Sequence, residues 1–208
     1  MYKRQSLDRR RSRKVDFNIS QDQQRWRDLA REFVEHHIRP DVLRRDRLPT
    51  AKERIPWDWI KEADAVGFRT LGIQKKFGGA EADIVTLCIV GEELAVGDLG
   101  FAVIMDQCWK LAHLFSEAMT PDQQELFIPR FVEDPEATTA IALTEPGVGS
   151  DHQGYYDSPD IDFQTTAVLD GEHYVLNGEK RYISNGSMAK LYFVVARSDK
   201  TKSLFDGG

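Results

Sequence analysis

The sequence predicts an α+β chain: an all-α N-terminal helical domain followed by an incomplete β-barrel or β-sandwich domain. Three observations carry this reading. Apolar residues recur at helical spacing from residue 20 to about residue 134. Past Asp134-Pro135 the pattern changes to short strand-like runs closed by Gly-containing turns. The two patterns are segregated rather than alternating, which argues against a parallel sheet built from βαβ units. The expected boundaries are 1–19 for a basic, disordered tail, 20–135 for the helical domain and 136–208 for a partial β domain.

The elements follow in order. Ser20 with Gln23 forms a capping box, and Trp26, Leu29, Phe33 and Val34 then repeat at helical spacing. Pro40 kinks or ends that helix. A second helix is expected over Trp57 to Val66, stopped by Gly67, and Phe77-Gly78-Gly79 is a turn. Ile84, Leu87, Cys88, Gly91, Leu94 and Ala95 share one helical face. Gly97 to Gly100 breaks that run before a helix from Phe101 to Ala118. Thr120-Pro121-Asp122-Gln123 combines an N-cap Thr, a Pro at the first helical position and a capping-box Gln, so a further helix runs toward Glu133. Strands are expected at 138–144, 163–169, 173–176, 181–184 and 191–196, with hairpin signals at Asp170-Gly171 and Asn177-Gly178. A sheet that stops at 208 leaves an exposed edge.

Composition narrows the function classes. Of 208 residues, 41% are hydrophobic and 30% charged, as in a globular protein in water, and no run approaches the roughly 18 apolar residues of a membrane span. Residues 1–15 carry seven basic side chains against Asp8, so the net charge of −6 conceals a more acidic body. An acidic body argues against nucleic acid as a partner. The basic head has no apolar core behind it and reads as a solvated tail, with a transit peptide or a polyanion-binding arm as the sharper alternatives. Cys88 and Cys108 have neither metal nor disulfide spacing and read as buried free thiols of a reducing compartment. His36 and His37, adjacent on a helix, point about 100° apart and make a poor metal pair. No metal site is expected.

Two runs carry chemistry. Thr144-Glu145-Pro146-Gly147-Val148-Gly149-Ser150-Asp151 is a strand end entering a Gly/Pro turn. Gly147 and Gly149 let backbone approach a ligand closely, and Ser150 with free amides makes a concavity suited to an anion. The alternative there is a tight β-turn capped by Asp151. Asn177 to Gly186 places Tyr182 and Ser184 two apart on an expected strand, so both face one side: an aromatic plane beside a hydroxyl suits a flat heteroaromatic ring. The alternative is a half-buried strand packing on its sheet.

Together with Phe77-Gly78-Gly79 and Glu92-Glu93-Leu94-Ala95, these runs resemble, in order and spacing, the acyl-CoA dehydrogenase family, over residues 20–208. The resemblance implies FAD. It implies that Thr144 bonds the pyrimidine edge of the flavin, that Ile141 and Leu143 line the same strip with backbone groups, and that Ser150 lies by the cofactor phosphates and the acyl-CoA. It implies that Tyr182 covers the ring and that Ser184 bonds near N5. Tyr182 and Ser184 stand where the family more often has Trp and Thr, and the 152–164 segment is longer than usual. The family's acyl pocket is lined partly by the helix after Glu92-Glu93-Leu94-Ala95, which maps onto Phe101, Ala102, Met105, Gln107 and Trp109; the alternative is ordinary helix packing. The implied activity is α,β-oxidation of an acyl-CoA thioester in fatty acid metabolism, with hydride transfer to flavin N5. The implied partners are acyl-CoA, an electron-transfer flavoprotein or similar acceptor, and further copies of the chain in a homo-oligomer or a split-subunit partner, in the cytoplasm or, for a eukaryotic chain, the mitochondrial matrix. The family's base is a glutamate in a C-terminal helical domain beyond these residues, so no catalytic base is assigned, and Glu145 is read as structural. The chain is expected to be a portion of such an enzyme or one subunit of a split one. A flavin monooxygenase or nitroalkane oxidase of the same fold, or a non-catalytic interaction module, are the alternatives.

Overall fold

The computed structural model describes residues 17–149, 163–199 and 201. The expected basic tail up to residue 16, Ser150 and Asp151, most of the 152–164 segment and the C-terminal loop lie outside the described residues.

Local signals start the helices where the sequence places them. At Gln21–Phe33 (α1) the Ser20 hydroxyl accepts the Gln23 amide, and the Gln23 side chain accepts the Ser20 N–H. The helix widens into a π-helical turn at Val34–Ile38 before Pro40. Two short helices then appear that periodicity missed, Val42–Asp46 (α2) and Ala51–Arg54 (α3). Each is too brief to display a period. Trp57–Ala65 (α4) ends as expected near Gly67. Ile84–Gly97 (α5) and Leu99–Lys110 (α6) share one linking residue: Asp98 closes the first and caps the second, its carboxylate accepting the Phe101 amide at 2.6 Å. The expected uniform helix from Phe101 to Ala118 is interrupted. Leu111–Phe115 is a π-helical turn, and Ser116–Ala118 (α7) follows, with the Ser116 hydroxyl bonded back to the Ala112 carbonyl. Such back-bonding competes with the regular ladder. Pro121–Glu133 (α8) has the expected box at Thr120 and Gln123.

One core lies between α1, α4, α5 and α6. At its centre Phe33 stacks on Phe101 at 5.8 Å, meets Phe68 edge-on at 5.5 Å, and Trp59 meets Phe101 edge-on. A second core, around Ile73, Cys108, Leu111, Ile128 and Phe131, joins α6 to α8. Ile141, Leu191 and Phe193 pack against it, which seats the first sheet on the helices. Arg69 is wholly buried between the two. It donates to the carbonyls of Phe131, Val132 and Ala137 and pairs with Asp64. The first two are carbonyls that the C-terminal end of α8 leaves without helical partners.

The β part is smaller than a barrel. Thr139–Ala142 (β1) pairs in parallel with Leu191–Val194 (β4), and Thr166–Asp170 (β2) pairs antiparallel with His173–Asn177 (β3). A single bridge from Thr166 to Arg197 connects the hairpin to the other sheet, and no barrel closes among the described residues. Two expectations are corrected. The strand at Arg181–Ser184 is a turn, with Tyr182 left-handed at φ 57° and Asn185 at φ 60°. No neighbouring strand among the described residues offers a ladder; the Arg181 amide is taken by the Thr144 carbonyl and the Gly186 amide by the Ile183 carbonyl. Tyr182 and Ser184 are therefore not a same-face strand pair. Cys88 is exposed rather than buried, because α5 turns that position outward, while Cys108 is buried and its thiol is pushed up to about 12 by burial.

Candidate functional site

The site is built on β1, whose two edges differ. The carbonyls of Thr138 and Ala142 accept amides from the β4 side. With a two-residue repeat, Thr139, Ile141 and Leu143 turn their backbone groups to the opposite edge. That edge has no strand partner among the described residues. Two side chains hold it instead. Asn185 Nδ2 donates to the Thr139 carbonyl at 3.1 Å, and Lys180 Nζ donates to the Leu143 carbonyl at 3.0 Å. Ile141 lies between the two, with its backbone toward a free edge and its side chain on the second core.

The chain then turns tightly. Glu145 and Val148 exchange both backbone hydrogen bonds around Pro146-Gly147, and a Cβ at Gly147 would meet nothing within 4 Å. Thr144, at the mouth of this turn, is half-buried, and its backbone N–H makes no backbone hydrogen bond among the described residues. Glu145 is 3% exposed. Its carboxylate accepts from the amides of Gln164 at 2.6 Å and Thr165 at 3.0 Å, and from Lys180 Nζ at 2.8 Å. Burial alone pushes this carboxyl up; the hydrogen bonds from Lys180, Thr165 and the Gln164 and Thr165 amides outweigh it and hold the group at about 2. Lys180 Nζ also lies 4.5 Å from the centre of the Phe163 ring.

Gly178 allows the second run to reach Lys180. A Cβ there would lie 2.3 Å from Thr165 Oγ1 and 2.5 Å from Thr165 Cα, so only glycine fits. Past Lys180 the turn presents Tyr182, 88% exposed, and then Ser184, also exposed. Asn185 anchors the far end, its amide reaching Thr139 and, at 3.4 Å, the Ile104 carbonyl of α6. The Thr139 hydroxyl donates in turn to the Gln107 carbonyl of α6.

A cleft of about 950 Å³ opens between this turn, the start of α6 and the α2–α4 region. Lys180, Tyr182, Ser184 and Phe101 all line it. The structure thus brings together Tyr182 and Ser184; Lys180 ties Leu143 to this turn and the Arg181 amide ties Thr144 to it, while Ile141 lies between Thr139 and Leu143 with its edge open. Ser150 lies outside the described residues. Phe101 and Met105 are core residues of α6, 1% and 0% exposed. Its more open face carries Leu99, Val103 and Asp106, which border a smaller groove against α5 of about 390 Å³. The parts that sequence reasoning left without a role are Lys180 and Asn185. The signal for the first was present: the two motif runs carry opposite charges, at Glu145 and Lys180. Among the described residues no group of His, Cys, Asp and Glu could hold a metal, and no helix is long and apolar enough to cross a membrane.

Comparison with known proteins gives the following. The family profile "Acyl-CoA dehydrogenase, N-terminal domain" matches residues 20–134, and "Acyl-CoA dehydrogenase, middle domain" matches residues 140–207. A short-chain-specific acyl-CoA dehydrogenase of Clostridium acetobutylicum is 32% identical over 90% of this chain and 46% of its own length. The butyryl-CoA dehydrogenase structure from Megasphaera elsdenii is similar at TM-score 0.74 and 30% identity, over 90% of this chain and 47% of that one. An acyl-CoA dehydrogenase of Bacillus anthracis complexed with FAD is similar at TM-score 0.72 and 28% identity, over 88% of this chain and 29% of that one. The chain spans about half the length of the curated relatives it matches.

Proposed function

This chain belongs to the acyl-CoA dehydrogenase family, and from that premise we propose that it provides the flavin-facing part of an FAD-dependent acyl-CoA dehydrogenase, its domains dividing at about residue 135. The free edge of β1 is the observation that carries the reading. The pyrimidine edge of a flavin alternates acceptor, donor and acceptor. A strand edge that alternates N–H and C=O, pinned at Thr139 and Leu143 and open at Ile141, complements it. Open space at Gly147 leaves room for the ligand to approach.

When bound, FAD supplies the two-electron acceptor for a hydride from the acyl β-carbon. The residues of this chain orient it and stabilise charge. Ile141 and Leu143 offer backbone groups to the ring edge. Thr144 adds a hydroxyl where negative charge develops on reduction, and a fixed donor there stabilises that charge without rearranging. Tyr182 stands exposed beside the cleft, where its ring meets a flat partner, and Ser184 supplies a second hydroxyl. Ser150 is assigned to the cofactor phosphates and the acyl-CoA. Phe101 and Met105 are assigned to the wall behind the acyl group, acting through α6. Glu145 is not the base: a carboxylate held at about 2 by three donors is already fully engaged at neutral pH. The base that goes with this reading is a glutamate of a C-terminal helical domain, as the resemblance implies. An acyl-CoA thioester, an acceptor of the electron-transfer flavoprotein type and further subunits are the partners that go with this reading.

Thr144→Val tests it in the full-length protein loaded with FAD. Losing one such donor slows flavin reduction about 10²–10³-fold, followed as bleaching of the flavin band after mixing with acyl-CoA. The melting temperature stays close to wild type. Wild-type protein that takes up no FAD, or an unchanged reduction rate in the variant, overturns the assignment.

A further inference from the structure

Lys180 and Glu145 form the most deeply placed charge pair of the site, with side chains 10% and 2% exposed. A buried ion pair of this kind often does no better for stability than apolar residues of the same volume. Stability alone therefore does not account for it, and its position supplies another reason. Lys180 Nζ touches Glu145 and also donates to the Leu143 carbonyl. That carbonyl lies on the edge of β1 that has no strand partner among the described residues, the edge proposed to meet the flavin. Lys180 also lines the cleft beside Tyr182 and Ser184.

We infer that Lys180 is a positioning residue that pins the free edge of β1 at Leu143 and sets a positive charge beside the flavin, and that Glu145 sets how much of the lysine charge the flavin feels. The inference rests on the flavin reading above. Two-electron reduction adds negative charge to the ring, so a nearby uncompensated cation favours the reduced form and an uncompensated anion opposes it. The two members of the pair must then act with opposite sign. A pair that only holds the turn in place has no such sign, because losing either partner loosens the same turn.

The experiment is the midpoint potential of FAD bound to the full-length protein, measured by equilibrium reduction against reference dyes. Wild type, Lys180→Met, Glu145→Gln, the double variant and Lys180→Arg are compared. Lys180→Met shifts the potential negative and Glu145→Gln shifts it positive. The double variant returns toward wild type, and Lys180→Arg, which keeps the charge, stays near it. Should Lys180→Met fail to fold, the positive shift of Glu145→Gln and the retained potential of Lys180→Arg carry the test. Wild-type protein that binds no FAD overturns the flavin reading and the inference with it. Wild type that binds FAD, with both single variants shifting in one direction or not shifting, overturns the inference alone.

Discussion

Phe33 and Leu169 are both large apolar residues on regular elements, yet Phe33 is 3% exposed and Leu169 is 60% exposed. The contrast extends to their surroundings. The helices close two cores whose central residues are inaccessible to water. Along the hairpin, every residue of β3 is exposed, and Leu169, Tyr174 and Leu176 are each more than half exposed. A two-stranded hairpin is marginal without a packed face. The helical part therefore holds its shape through packing. Apart from β1 and β4, which are seated on the second core, the β part holds its shape through a few directed bonds: Glu145 with Lys180, Asn185 with Thr139 and Ile104, and the bridge at Arg197.

Amide exchange separates the two regions most widely. Amides of α5 and α6 open only with global unfolding and those of β2 and β3 open locally, so opening free energies differ by about 5 kcal/mol or more. Equal protection in the two regions ends the contrast. The next effect strikes the helical part at its one large buried charge. Arg69→Met leaves Asp64 and three carbonyls without their donor, and costs about 3–5 kcal/mol in denaturant titrations. A smaller loss would mean that the second core tolerates unpaired groups.

Acid sharpens the comparison on the β side. The Glu145 carboxyl is lowered from its ordinary 4.5 to about 2, which corresponds to roughly 3 kcal/mol. A depressed carboxyl stabilises the fold fully above its unfolded value. The contribution starts to fall once the pH drops below 4.5 and is gone by about pH 2. Comparing the stability of wild type with Glu145→Gln between pH 7 and pH 2 checks this: the gap narrows only in that window. Tyr182→Gly has the smallest effect on folding. Glycine relieves the left-handed backbone but loosens the unfolded chain, so stability changes by no more than about 0.5 kcal/mol. FAD affinity in the full-length protein falls nonetheless. A loss of stability without a loss of affinity would make Tyr182 a folding residue.

The same division explains what the sequence disclosed. Capping boxes at Ser20 and Thr120, and the hairpin at 170–173, depend on residues within three positions of each other, and the chain adopts them as read. Tyr182 does not follow its local pattern. Arg-Tyr-Ile-Ser carries the β-prone Tyr182 and Ile183 of a strand, but its path is set by Thr144, Thr139 and Ile104, all distant in sequence. Cys88 escaped for another reason. Apolar residues lie almost all round α5, with Ile84 and Val85 exposed beside Leu87 and Val90 buried, so periodicity had no face to choose. In the candidate site, residue types were legible as a set. The roles of Lys180 and Asn185 were not, since each acts on a backbone carbonyl that no side-chain pattern reports.

Asn185 has one more consequence, and it concerns time. It precedes Gly186, as Asn177 precedes Gly178. Asn-Gly is the dipeptide most prone to lose its side-chain amide, through attack by the following backbone nitrogen and a cyclic imide. At Asn185 both reactants are engaged: the amide by the Thr139 and Ile104 carbonyls, the Gly186 nitrogen by the Ile183 carbonyl. Were the amide to become a carboxylate, it would set a negative charge against two carbonyl oxygens and push α6 away from β1. The bonds that join helix to strand thus also slow the chemistry that would part them, and ageing of the folded protein falls first on Asn177, at the exposed end of the hairpin.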